Sequence, residues 1–360
     1  MTLKGKKNHY GVKLLRGYGV SINLKDNRIC LKGGRDPFTG EQGTEEWFVT
    51  QIPYERIVIS GKGYLSTEAV KLLTDHNINI ILTDTYGNLI TAMHKVMSSP
   101  TATNYRIAQY DTFRNPEKVA YLQKQTLKAK LESQIQFLQS IHRPEVQEAI
   151  DGLSSYITKI DSAKDKRDLL TIEARAGHLY FRNYAKLFDK KYGFVSRNGG
   201  GIKTGNRYAS DPINGLLNYG YTVLAGEIAK YVNGLGLDPY YGFFHTMHNS
   251  FQALVYDLIE PFRWLVEYAA YKIASDTNHN YRITKKDYVW TREGRIVLDD
   301  GLIRRFLELL ERKFQSERPY KFKHGIKRRD GLSMCQEITI AKIFSQDMAD
   351  YCVNSLPILL

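Results

Sequence analysis

The sequence predicts an α+β protein: a small β-rich unit over residues 1–95, a link at 96–105, and a larger all-α unit over residues 106–360. Three observations carry this. Short β-branched runs separated by turn residues fill the stretch up to residue 95, small polar residues and Pro100 mark Val96 to Asn104, and beyond them apolar residues recur at helical spacing. A chain of 360 residues is long enough for two units, each with its own core.

In the first unit Val20, Ile22 and Leu24 alternate with small or polar neighbours, Lys25 to Arg28 carries a turn, and Ile29 and Leu31 resume the pattern, which reads as a hairpin. The runs YERIVIS and INIILTDTYGNLI add strands. Between them STEAVKLLTDHN opens with a Ser66 or Thr67 cap and Glu68, then spaces Val70, Leu72 and Leu73 as a short helix does.

Past the link, Leu127, Leu131, Ile135 and Leu138 recur at steps of four, four and three with Lys and Gln elsewhere, so one helix face packs and the other is expected to be wet. The pattern continues through Ala174–Leu187, Ile213–Val232, Phe251–Ala274, Leu302–Phe314 and Glu337–Tyr351. RNGGGIKTGNRYASDP, Arg197–Pro212, interrupts it as a long exposed loop. It is not a phosphate-binding P-loop, because Ile202 stands where a glycine must precede Lys203-Thr204 and no strand leads in.

Lys and Arg outnumber Asp and Glu by 51 to 38, a formal charge of +13, which favours a polyanionic partner: nucleic acid first, an anionic membrane surface second. RPYKFKHGIKRR, Arg318–Arg329, holds six basic residues and no acid, with Tyr320 and Phe322 interleaved for stacking on unpaired bases, although a solvated basic loop would look the same. The N-terminus lacks the apolar core of a secretory signal and no apolar run is long enough for a membrane span, so a cytoplasmic protein is expected. Cys30, Cys335 and Cys352 are too few and too scattered for a disulfide framework or a zinc site, and buried free thiols are expected.

Chemistry concentrates in GFFHTMHNSFQALVYDLIEPFRWLVE. Asp257 and Glu260 are three apart on one helix face, beside the stripe of Leu254, Leu258, Phe262 and Leu265. A carboxylate at such a border can hold a hard metal ion, pair with an arginine such as Arg263, or cap a loop. Glu173 lies on a helix whose i+3 and i+4 neighbours, Ala176 and Gly177, leave room beside it for a ligand or for close helix packing. His245 reads either as a hydrogen-bonded structural residue or as a ligand.

Five segments in order, IVISGKGYLSTEAVKLLTDHNINIILTDTYGNLI, IEARAGHLYF, NRYASDPINGLLNYGYTVLAGEI, GLGLDPYYGFFH with SFQALVYDLIEPFRWLV, and ITKKDYVWTREGRIVLDDGLIRRFLELLE, resemble the signature segments of the CRISPR-associated integrase of spacer acquisition, the Cas-one family. The resemblance covers most of the chain. It implies a homodimer with an N-terminal β domain for dimerisation and a helical catalytic domain, and a divalent ion, Mg²⁺ or Mn²⁺, held by Glu173, His245 and Glu260. Asp257 is the family's additional acid, so the implied catalytic set is Glu173, His245, Asp257 and Glu260. His248 has no counterpart.

The implied reaction is insertion of short foreign DNA into a CRISPR array by 3′-hydroxyl attack on a phosphodiester, with a Cas-two family protein bridging two dimers. Arg207 in GNRY and Tyr219 and Tyr221 in NYGY fall in family motifs and are candidate DNA contacts, as are Arg263 beside the acids and Lys327, Arg328 and Arg329 in the basic stretch. A casposase, the transposon-borne relative, shares the constellation but usually carries an appended helix-turn-helix, for which the chain beyond Glu337 is short. A non-catalytic DNA-binding scaffold would account for the charge alone.

Overall fold

The computed structural model describes residues 12–35, 42–95, 100–197, 208–245, 252–275, 282–321 and 332–355. Six strands, β1 (Val12–Lys25), β2 (Arg28–Lys32), β3 (Thr44–Trp47), β4 (Arg56–Leu65), β5 (Asn79–Thr83) and β6 (Leu89–Met93), form one sheet in the order β3-β2-β1-β4-β5-β6. The β1–β2 hairpin turns on Asp26 and Asn27 at φ 47° and 60°, a left-handed pair that Asp and Asn tolerate and whose twist suits adjoining strands. β4 lies parallel to both β1 and β5, and α1 (Thr67–Asp75) makes the crossover between β4 and β5. As expected, Ser66 caps α1, accepting from Ala69 N at 3.2 Å.

Alternation along the strands gives the sheet two apolar faces. Leu15, Val20, Ile22, Ile57, Ile59 and Ile80 pack with Ala69 and Leu73 of α1, whereas Leu14, Val58 and Ile81 join the helical core. Gly226 lets the helix behind the sheet come close, for a Cβ there would sit 2.5 Å from Ile81 Cδ1.

The helical region begins with α2 (Pro100–Arg114), so residues 100–105 of the expected link are helical; proline is tolerated in a first turn, where its missing N–H leaves no bond unmade. α3 (Pro116–Ile141), α4 (Gln147–Ser162) and α5 (Lys166–Ala185) follow, with α3 and α5 capped by Asn115 and Asp165. α6 (Pro212–Leu235), buried on nearly every side, is the central helix.

The single helix expected over Phe251–Ala274 is broken. α7 (Ala253–Ile259) passes into a 3₁₀ turn at Glu260–Phe262 and then α8 (Arg263–Ser275), because Pro261 has no N–H to continue the ladder. Two short hairpins also qualify the all-α expectation: β7 (Tyr288–Trp290) with β8 (Ile296–Leu298), and, after α9 (Asp300–Phe314), β9 (Glu317–Lys321) with β10 (Leu332–Gln336). α10 (Glu337–Asn354) closes the described chain.

Buried ion pairs join sheet to helices. Arg56 pairs with Glu227 of α6 and Glu311 of α9, and Arg16 with Asp300. Cys335 and Cys352 are buried as expected, but Cys30 is partly exposed because its side chain alternates away from the covered face of β2. Among the described residues, no helix is long and apolar enough to cross a membrane.

Candidate active site

α3, α5, the Glu260–Phe262 turn and the strap after α6 bring their side chains to one place. The strap is laid down by Asp257, which is fully buried: its Oδ2 accepts from Phe243 N at 2.7 Å and Phe244 N at 3.0 Å, and its Oδ1 from His245 N at 2.9 Å. Gly242 makes this approach possible, since a Cβ there would stand 2.6 Å from Asp257 Oδ2. Gln123 of α3 adds a donor to Phe243 O at 2.6 Å.

Asp257 Oδ1 also lies 2.6 Å from His245 Nδ1, which sets the imidazole with Nδ1–H toward the acid and turns Nε2 to within 4.0 Å of Glu260 Oε1. Burial pulls the His245 pKa down, but the hydrogen bond and charge of Asp257 and the charge of Glu260 outweigh it and raise it.

Glu260 is buried at 4% exposure. Arg263 Nε donates to its Oε1 at 2.8 Å. Its other oxygen, Oε2, pairs with Lys130 Nζ at 2.7 Å. Burial pushes this carboxyl up; Arg263, Lys130 and His245 together overcome that and hold it down at about 2. Lys130 reaches in the other direction as well, donating to Glu173 Oε1 at 2.7 Å. One ammonium thus bridges carboxylates carried by α5 and by the turn after α7.

Glu173 and Glu260 therefore meet on Lys130, a residue the sequence does not single out, with His245 Nε2 4.0 Å from Glu260 Oε1. The spacing along α3 leaves its lysines and glutamines on a face expected to be wet, yet Gln123, Thr126 and Gln134 are buried and Lys130 is 14% exposed. No periodicity signals this, because a polar residue on an apolar helix looks the same whether water or a buried partner satisfies it.

As the side chains stand, no three His, Cys, Asp or Glu among the described residues lie close enough to hold a metal ion. The donors nonetheless fit a hard cation in kind: two carboxylates facing one positive charge, and an imidazole fixed through its far nitrogen. Asp257 does not join them, since both its oxygens already accept hydrogen bonds; its part is to position His245.

The family model for the CRISPR associated protein Cas1 matches residues 14–312. The chain belongs to the Cas1 family. It is 27% identical over 323 residues to a CRISPR-associated endonuclease Cas1 of Archaeoglobus fulgidus, covering 85% of this chain and 88% of that one. Among solved structures, a casposase bound to integration product matches with a TM-score of 0.81 at 25% identity, over 96% of this chain and 91% of that one. A Cas6-RT-Cas1–Cas2 complex matches in fold with a TM-score of 0.72 at 19% identity, over 98% of this chain and 36% of that one.

In this Cas1-family chain three candidate DNA contacts are corrected by burial. Tyr219 is 1% exposed, its hydroxyl 3.2 Å from Ser60 Oγ and donating to Thr85 O at 3.1 Å, so it joins α6 to the sheet. Tyr221 is 4% exposed and donates to Glu267 Oε1 at 2.8 Å, with the Arg263 guanidinium 4.6 Å over its ring. It supports Arg263 from beneath. Tyr320, expected to stack on bases, is buried at 6% exposure. Arg263 is committed to Glu260 and so belongs to the acid cluster. Arg207, His248, Phe322, Lys327, Arg328 and Arg329 lie outside the described residues.

Proposed function

We propose that this Cas1-family chain is a divalent-metal-dependent DNA endonuclease and integrase of CRISPR adaptation, with Glu173, His245 and Glu260 as the residues that hold Mg²⁺ or Mn²⁺. The observation that carries the reading is the meeting of Glu173 and Glu260, from separate elements, on one ammonium at 2.7 Å each, with His245 Nε2 4.0 Å from Glu260. When bound, the ion would neutralise phosphate oxygens and the departing alkoxide.

The chain's own residues do the rest. The low pKa of Glu260, about 2, keeps it anionic through neutral pH. Asp257 holds the imidazole by Nδ1–H and leaves Nε2 as the coordinating atom. Lys130 and Arg263 supply positive charge beside the acids, where a phosphodiester's non-bridging oxygens would lie. A DNA 3′-hydroxyl loses its proton to solvent and forms a new O–P bond as the bridging P–O bond of the target breaks, and the leaving oxygen takes up a proton; water in place of that hydroxyl gives nicking.

The chain acts as a homodimer through its β-rich unit, with DNA as substrate and a Cas2-family protein as bridge between dimers. The fold match to the Cas6-RT-Cas1–Cas2 complex supports the last of these. Glu173→Ala and Glu260→Ala test the reading: both are expected to bind duplex DNA and to lose Mg²⁺-dependent nicking and strand transfer. Activity retained in both purified variants would falsify it. The match to a casposase favours a second reading, insertion of transposon ends. Comparing short duplexes with transposon ends, without Cas2, separates the two by which donor is joined.

A further inference from the structure

A cavity of about 260 Å³ lies where the start of β5, the end of β6, the last turns of α6 and the middle of α10 meet. That is near the ~300 Å³ lower end of small-ligand sites. Its residues include none of those assigned to the metal centre, so it stands or falls separately from that reading.

Three lysines, Lys95, Lys230 and Lys342, line it and no carboxylate does. Their net positive charge without an acid beside it favours an anion. The interior is largely apolar, walled by Ile78, Leu235 and the ring of Tyr231, with Lys342 Nζ 6.0 Å from that ring's centroid.

Two buried polar atoms at this cavity have no hydrogen-bond partner. Asn79 is 1% exposed; its Nδ2 donates to Gly226 O at 3.0 Å, which fixes the amide's orientation and leaves Oδ1 as an unused acceptor. His94 Nδ1 is the other. Proteins rarely leave such atoms unsatisfied, so each marks a place for a water or a ligand group.

We propose that this cavity is a nucleotide site, with the base against Tyr231 and the apolar walls, an N–H of the base donating to Asn79 Oδ1, and the phosphate among the three lysines. Inorganic phosphate would serve the lysines and nothing else. A fatty acid would serve the apolar wall and the lysines but leave Asn79 Oδ1 unmet. The nucleotide is either free or the terminal unit of a DNA strand, since both present the same groups.

The test is titration calorimetry of the full chain with dAMP, with inorganic phosphate, and with a short single-stranded oligonucleotide, repeated on the Lys230→Ala/Lys342→Ala double variant and on Leu235→Trp, which fills the cavity from a partly buried position. The expected result is saturable 1:1 binding of dAMP, of the oligonucleotide or of both, about tenfold or more weaker in the lysine variant and lost in Leu235→Trp. Binding of dAMP points to free nucleotides and binding of the oligonucleotide alone to a strand end. No saturable binding of either, binding that both variants leave unchanged, or inorganic phosphate bound as tightly as dAMP overturns the proposal.

Discussion

Lys130 Nζ stands 2.7 Å from Glu260 Oε2, and the same ammonium serves Glu173 at the same distance. A divalent ion on those carboxylates would share their neighbourhood with a charge of its own sign, so ion and lysine compete. Lys130→Met is expected to lower the stability of the metal-free protein by on the order of 3 kcal/mol, because two acids lose their neutralising partner. It should also raise Mn²⁺ affinity and enlarge the melting-temperature rise that Mn²⁺ produces. Thermal melts with and without Mn²⁺, and Mn²⁺ titration calorimetry, measure both; lower affinity in the variant would mean that Lys130 supports the ligands instead of competing for them.

Asp257 accepts three backbone N–H groups and faces His245 Nδ1, so it orders a strap and orients an imidazole at once. Asp257→Asn keeps the shape but places an amide donor against N–H groups. Metal affinity is expected to fall about 10- to 100-fold, the usual effect of losing the partner that fixes a ligating histidine. Amide exchange at Phe243 to His245 should quicken as well. Unchanged exchange and affinity would remove the positioning role.

What the sequence made legible was local. The Asp26-Asn27 turn and the Ser66 cap depend on neighbours a few residues away, and both stand where the pattern put them. The parallel pairing of β1 with β4 was not visible, because it joins residues about forty apart through backbone groups that every residue possesses. Glu173, His245 and Glu260 are named from motifs, whereas Lys130, the residue of a fourth segment on which Glu173 and Glu260 meet, leaves no local mark. Tyr219 and Tyr221 misled for a related reason: a tyrosine hydroxyl suits a phosphate, yet it equally suits Thr85 O or Glu267, and only packing decides which it meets.

The Glu260 carboxyl should govern an acid limb of stability in the metal-free protein. Its folded pKa, about 2, lies below the ordinary 4.5, so its contribution is complete above pH 4.5 and is lost as pH falls from there toward 2. Glu260→Gln cannot titrate. Urea unfolding of both proteins between pH 6 and pH 3 should show wild type losing stability faster toward acid than the variant. Parallel slopes would mean that Glu260 keeps an ordinary pKa.

Arg56 is buried at 2% exposure between Glu227 and Glu311, one acid from each of two helices that back the sheet. Arg56→Met removes the cation and leaves two buried carboxylates facing one another, which breaks a buried pair from its common partner and costs about 3–5 kcal/mol. The triple variant Arg56→Met/Glu227→Gln/Glu311→Gln removes the stranded charges and should recover most of that loss, since uncharged side chains of similar size pack at the same junction without a charge to desolvate. Chemical denaturation of the three proteins, wild type, single and triple, gives the two differences. If the triple variant is no more stable than the single one, the interface depends on the directed guanidinium contacts themselves and not on charge balance.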